Sequence, residues 1–258
     1  MPADAPSWSP RDYLKFERER TLPSRDLVAR IELESPATIA DLGCGPGNST
    51  AILRKRWSGA RIWGVDNSPA MLEAAKRSSA EVEWVLADIG AWNPRMTFDL
   101  LFSNAALQWV PDHTTLVPRL FLAVSPGGAF AVQMPARDGA WTRIIEEIAG
   151  YGRWADRFSG VPDLAAEPLD LYYDLLSPLS SRIDLWETEY VHVLSSPLDV
   201  VEWTKGTALR PHLERLHGTG EREAFLEEYT AAIRDAYPSR PDGKVLFPFH
   251  RRFWVAYR

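Results

Sequence analysis

The sequence predicts an α/β fold: a Rossmann-like, mostly parallel sheet with helices on both faces. Two observations point there. Short β-rich runs alternate with helical text through the first half of the chain, and three glycines sit between the first run and the helix after it. Continuous apolar strands separated by helices mark a parallel sheet covered on both sides, because such strands have no polar face to alternate. A sheet of this kind takes its ligand at the carboxyl ends of its strands, where the strand order reverses.

The early strands are expected at TIADL (38–42), RIWGVD (61–66), VEWVLAD (82–88), FDLLFSN (98–104) and AFAVQMP (129–135). Helices are expected after Asn48, over PAMLEAAKR from Pro69, and over TTLVPRLFLAV. Ser68 ahead of Pro69 is a start signal: the hydroxyl accepts from an otherwise orphaned N–H, and proline at the first helical position forfeits no bond. SPGGAF supplies a tight turn into the fifth strand through Gly127 and Gly128. The second half reads as helical and aromatic from Arg137 to about Pro178, then as a strand over RIDLWETEYVHVL (182–194). Helical text follows in PLDVVEWTKGTALRPHLERL and EREAFLEEYTAAIRDAY, and FHRRFWVAYR closes as a strand. These patterns predict one domain over 1–258, with two final strands at the sheet edge and helical cap segments at about 137–180 and 196–240.

Composition narrows the function classes. A chain of 258 residues with 45% hydrophobic and 25% charged content is an ordinary globular sequence, long enough for a sizeable core. A net charge of -6 without a Lys/Arg-dense face argues against nucleic-acid binding. The single Cys44 cannot form an internal disulfide, and five scattered histidines make no HxxxH pair, so no metal site is expected. No apolar run approaches the roughly 20 residues of a membrane span, and MPADAPSWSPRDYLKF lacks a signal-peptide layout. A cytoplasmic protein with no membrane association and no obligate protein partner is the expectation.

The glycine loop carries the most chemistry. A dinucleotide loop shows G-x-G-x-x-G, its helix N-terminus facing a pyrophosphate. Here the spacing is Gly43, Gly45, Gly47, with Asn48 where the third dinucleotide glycine would fall. Asp41 stands two positions before the first glycine, poorly placed for a pyrophosphate but able to hold a cationic amino group or a water. Asp66 ends the second run, near the offset of a ribose-binding acid, with Asn67 beside it. Asp88, followed by Ile89, ends the third, and Asn104 ends the fourth ahead of Gln108 and Trp109. Asp66 or Asp88 alone could cap a helix, and Trp109 could be an aromatic plug. Acids at three successive strand ends are harder to dismiss.

The pattern D-x-G-x-G-x-G resembles the first motif of class I S-adenosylmethionine-dependent methyltransferases. The resemblance implies that Asp41, Gly43 and Gly45 wrap the methionine and ribose of S-adenosylmethionine, that Asp66 and Asn67 take the ribose, and that Asp88 and Ile89 meet the adenine. Asn104 would face the cofactor, and Trp109 would line the passage to substrate. DLGCGPGNST, GVDNSPAML, SNAALQWVPDH, PGGAFAVQMP, WETEYVHVL, GTALRPHLERL and HRRFWVAYR together look like the trans-aconitate 2-methyltransferase family, from about Trp8 to Arg258. SNAALQW is also similar to malonyl-carrier-protein methyltransferases, which likewise esterify a carboxylate.

That family implies methyl transfer to a carboxylate of a small tricarboxylate. A carboxylate is already ionised at neutral pH, so no general base is required and no catalytic proton-transfer residue is nominated. A tricarboxylate does need cations, and arginine forks match carboxylates bidentately. Candidates are Arg137, Arg210, and His250, Arg251 and Arg252 of the last strand, not all of which can point inward, with Lys205, Arg20 and Tyr13 behind them, the last two on an N-terminal segment that could close as a lid. Arg251 should face away from both His250 and Arg252, because strand side chains alternate. Other expectations are a carboxyl methyltransferase for another small or carrier-bound dicarboxylate, and a non-catalytic S-adenosylmethionine-binding protein.

Overall fold

A computed structural model describes residues 15–79, 81–161, 165 and 167–258. Its centre is a seven-stranded sheet in the order β3-β2-β1-β4-β5-β7-β6. The strands are β1 (Thr38–Leu42), β2 (Arg61–Asp66), β3 (Glu83–Leu86), β4 (Phe98–Asn104), β5 (Val124–Pro135), β6 (Arg182–Leu194) and β7 (Val245–Tyr257). The first five pair in parallel, and β7 runs antiparallel to β5, Gln133 opposite Phe253 and Pro135 opposite Arg251. The order reverses between β1 and β4, as the expected fold requires. The expected strand over 82–88 is shorter, ending at Leu86, so Asp88 lies two residues past it.

The chain divides into two compact units. The first comprises residues 1–135, 165–187 and 251–258. Its helices are α1 (Glu17–Arg30), α2 (Asn48–Arg56), α3 (Pro69–Ser78), α4 (His113–Phe121) and α7 (Leu169–Leu176). α3 begins as its sequence signals, with Ser68 Oγ accepting the Met71 N–H at 3.4 Å. One sheet face buries Ala40, Leu42, Leu101, Phe130, Val132 and Trp254 against Leu116, Val117, Leu120 and Phe121 of α4 and Tyr172 and Leu176 of α7. On the other face α1 packs on α2 and β5. Sequence patterning shows no sign of α1: ERERTLPSRDLVAR contains Pro23, and its buried positions include the polar Arg20 and Ser24 beside Leu27 and Val28.

The second unit comprises residues 136–164 and 188–250. It holds α5 (Ala140–Gly150), α6 (Ala155–Phe158), α8 (Pro197–Lys205), α9 (Arg210–Arg215) and α10 (Glu221–Ala236). Its core is aromatic. Trp141 stacks on Phe249 at 5.3 Å, Trp203 meets Phe247 at 5.6 Å, and Trp154 meets Phe225 at 5.3 Å. Trp186 belongs to the first unit, where it stacks on Phe253 at 4.9 Å.

Candidate active site

The glycine loop is held by its own strand ends. The Gly43 and Cys44 N–H groups donate to the Val65 carbonyl at 2.7 and 3.1 Å, which folds the loop over the end of β2. Gly43 has φ of +74°, and a Cβ there would lie 2.1 Å from the Ala106 Cβ. A side chain is therefore excluded by the protein itself as well as by backbone strain. Gly45 also has positive φ, but a Cβ there would meet nothing within 4 Å. Its open side is where a ligand can approach the backbone.

Asp41 is wholly buried. Its Oδ2 accepts the Ser49 and Thr50 hydroxyls at 2.7 and 2.6 Å, bracing the first turn of α2, where the helix dipole favours an anion. Its Oδ1 has no hydrogen-bond partner among the described residues. Burial pushes its pKa up to about 6, with Asp66 adding repulsion and the two hydroxyls pulling it down. Asp66 Oδ2 accepts the Gly45 N–H at 2.9 Å, and Oδ1 accepts the Ser68 N–H at 2.8 Å. Burial raises its pKa, and these backbone donors oppose the shift. A carboxylate accepts about four hydrogen bonds, so capacity for two hydroxyls remains. Asn67 is exposed beside it, and Ile89 is buried. Asp88 is exposed, its Oδ1 accepting the Gly90 N–H at 2.7 Å.

Asn104 ends β4, and its Oδ1 is buried without a partner among the described residues. It lines a cavity with Gly43, Cys44, Pro46, Asn48 and Ser49 from the loop and Arg20, Thr21 and Ser24 from α1. The first unit thus brings the glycine loop, Asp41, Asp66 and Asn104 to one sheet edge. Open backbone at Gly45, spare acceptor sites on Asp66, and orphaned acceptors on Asp41 and Asn104 fit a nucleoside that carries a cationic amino-acid tail.

The segment after Asn104 is held in a strained conformation. Ala105 and Asp112, neither of them glycine, have φ of +54° and +56°, bracketing a 3₁₀ turn over Leu107–Trp109. Such backbone persists only where its surroundings over-determine it. His113, buried at the start of α4, supplies part of that. Its Nε2 lies 2.9 Å from the Leu107 carbonyl and its Nδ1 2.6 Å from the Tyr172 hydroxyl. A carbonyl only accepts, so Nε2 carries the proton and Nδ1 accepts from Tyr172. Burial raises the Tyr172 pKa. Tyr172→Phe strands Nδ1 and is expected to lower stability by about 1–3 kcal/mol, read as a lower denaturant midpoint. An unchanged midpoint would remove this pair as the anchor of the Trp109 turn.

The nominated basic residues divide between the units. Arg20 and Arg251 lie in the first, both buried, and Arg20 packs over the Phe16 ring. Arg252 pairs with Glu187 at 2.9 Å, and burial alternates along the strand as expected, with Arg251 in and its neighbours part-exposed. In the second unit Arg137 pairs with Glu146 at 2.9 Å, Lys205 with Glu202 at 2.8 Å, and His250 with Asp138 at 2.7 Å. Arg210 differs: its side chain is largely shielded, Glu214 is 3.6 Å away, and burial lowers its pKa. Tyr13 lies outside the described residues. Sequence reasoning missed Ser49, Thr50, His113 and Tyr172, whose partners are reached only through the fold, and Ser24, which only the fold brings to the cavity.

Among the described residues no helix is long and apolar enough to cross a membrane, and no group of three or more His, Cys, Asp or Glu could hold a metal ion.

Comparison with known proteins agrees with this geometry. The family described as Methyltransferase domain matches residues 39–128, which span β1 through the start of β5 and include every loop described above. The YcgJ protein of Bacillus subtilis superposes with a TM-score of 0.58 at 14% identity, covering 92% of this chain and 98% of its own, a likeness of fold. A trans-aconitate 2-methyltransferase of Azoarcus sp. is 48% identical over 98% of this chain and 100% of its own length. One from Methylobacterium radiotolerans is 45% identical over 96% of this chain and 97% of its own. With that identity sustained through both units, the chain belongs to the trans-aconitate 2-methyltransferase family.

Proposed function

We propose that this protein transfers a methyl group from S-adenosylmethionine to a carboxylate of trans-aconitate, giving a methyl ester. The observation that carries the reading is full-length identity of 48% to a protein of that name, over a glycine loop and acids that fit the cofactor. S-Adenosylmethionine supplies an electrophilic methyl on a sulfonium. Asp66 and Asn67 take the ribose hydroxyls, and Asp88 and Ile89 the adenine. Asp41, Gly43, Gly45 and Asn104 hold the methionine end, and Trp109 excludes water beside the methyl. The carboxylate arrives ionised, so no residue needs to move a proton, and the work of the chain is alignment in a dry site.

Cationic recognition falls first to Arg251, Arg20 and Arg210, which are shielded from solvent. Arg137, His250 and Lys205 hold Glu146, Asp138 and Glu202, and Arg210 has Glu214 at 3.6 Å, so a substrate would compete with carboxylates of the chain. The tricarboxylate is a small-molecule partner, and the reaction is placed in the cytoplasm. Incubation with S-adenosylmethionine and a panel of di- and tricarboxylates, read by mass spectrometry, should give S-adenosylhomocysteine and a methyl-ester mass gain with trans-aconitate. No ester from any polycarboxylate would sink the proposal. Arg210→Ala is expected to raise the aconitate KM by about 10-fold or more while the cofactor KM holds, with Arg137→Ala changing it less. Equal effects on both substrates would remove Arg210 from acceptor binding.

A further inference from the structure

Gln133, near the end of β5, is completely buried, yet neither its Nε2 nor its Oε1 has a hydrogen-bond partner among the described residues. An enclosed amide with no protein partner is strongly unfavourable unless a group from outside the fold, a water or a ligand, satisfies it. Its surroundings say what. Gln133 lies beside Asn104 on β4 and opposite Phe253 on β7, and the next residue of the same face, Pro135, lies opposite Arg251. Side chains two apart on a strand share a face, so Asn104, Gln133 and Arg251 form one polar group on the side of the sheet that α1 covers. α1 contributes Ser24, whose hydroxyl is also buried without a partner among the described residues, and Ser24, Arg20 and Asn104 line one cavity with the glycine loop, Gln133 lying next to Asn104 on the neighbouring strand. Beyond Phe253 the face is closed by Trp186.

We infer that Gln133 with Ser24, beyond the Asn104 assigned above to the methionine end, forms a buried subsite for one carboxylate of the methyl acceptor; the assignment rests on the acceptor being a polycarboxylate, as proposed above. A carboxylate only accepts hydrogen bonds. Ser24 offers a hydroxyl and Gln133 an NH₂, while Arg20 and Arg251 bring positive charge to the same face. Position selects the acceptor over the cofactor. The nucleoside-binding acids step outward from β1 to β2 and past β3, whereas Gln133 lies on the far side of Asn104, two strands and about 10 Å from the glycine loop. The amino-acid tail of the cofactor carries the same carboxylate chemistry and is the source the experiment must separate.

Gln133→Met keeps the length of the side chain and removes its amide. Titration of trans-aconitate into protein saturated with S-adenosylhomocysteine should show Kd raised by about 10–100-fold. The affinity for S-adenosylhomocysteine alone should not change, and the melting temperature should hold or rise. Gln133→Glu, which sets a negative charge against the ligand, should weaken the acid at least as much. An equal loss of S-adenosylhomocysteine affinity would assign the subsite to the cofactor tail and overturn the inference. Unchanged acid binding with a raised melting temperature would reduce Gln133 to a poorly satisfied core residue. Wild-type protein that binds no polycarboxylate would overturn the acceptor itself, whereas equal binding by wild type and Gln133→Met overturns only this subsite.

Discussion

Asp66→Ala is expected to weaken S-adenosylhomocysteine binding by about 100-fold or more. The carboxylate serves the loop before it serves any ligand, because its two oxygens hold the Gly45 and Ser68 N–H groups. Hydrogen bonds to a charged group contribute about 1.5–3 kcal/mol each. Alanine loses both and leaves two donors without the acceptor that set the loop, in addition to losing the ribose hydroxyls proposed for that carboxylate. Removing a half-buried charge returns some desolvation energy, as the raised pKa shows, but two orphaned donors outweigh it. Asp66→Asn keeps one acceptor oxygen and should fall between, at roughly 10-fold. Calorimetric titration decides: an alanine variant within about threefold of wild type would mean that the loop holds its shape without Asp66.

Asp41→Asn should do the opposite to stability. The folded-state pKa of about 6 lies above the ordinary 3.8, so the folded chain binds this proton more tightly than the unfolded chain does. The ionised group therefore destabilises the fold at pH 8, and the penalty fades as pH falls from 6 toward 3.8. About two pKa units correspond to about 3 kcal/mol. Asparagine removes the buried charge and keeps an oxygen for Ser49 and Thr50, so about 1–3 kcal/mol should return at pH 8, roughly 3–8 °C in melting temperature. Near pH 4 wild type and variant should melt together. A variant equally destabilised at both pH values would show that the two hydroxyl bonds outweigh the desolvation. The gain should come with weaker cofactor binding if, as proposed, Asp41 Oδ1, which has no partner among the described residues, takes the methionine end.

Much of the fold was legible because the strands are written without interruption. RIDLWETEYVHVL became β6 at its expected limits, and TIADL, RIWGVD and FDLLFSN became β1, β2 and β4. α1 was not legible, since its buried face is half polar and a proline sits inside it. Periodicity records what a helix buries in an apolar core, and α1 buries Arg20 and Ser24 against a polar cavity. The acids at strand ends were legible from spacing. Their internal work was not: spacing leaves Asp41 open to an amino group or a water and gives no sign that its Oδ2 also braces Ser49 and Thr50. His113 and Tyr172 are 59 residues apart, and nothing local in either segment names the other. Gln133 reads in AFAVQMP as one polar letter in a strand, and only its enclosure makes it informative.

Gly43 and Ala106 occupy what amounts to a single space, since the Cβ missing from one would sit 2.1 Å from the Cβ of the other. The two positions therefore form a joint volume allowance between the glycine loop and the loop that leads to Trp109. An enlargement of either residue pushes the opposite loop aside, so a variant of this enzyme with a roomier or tighter reaction chamber has to change both positions in concert.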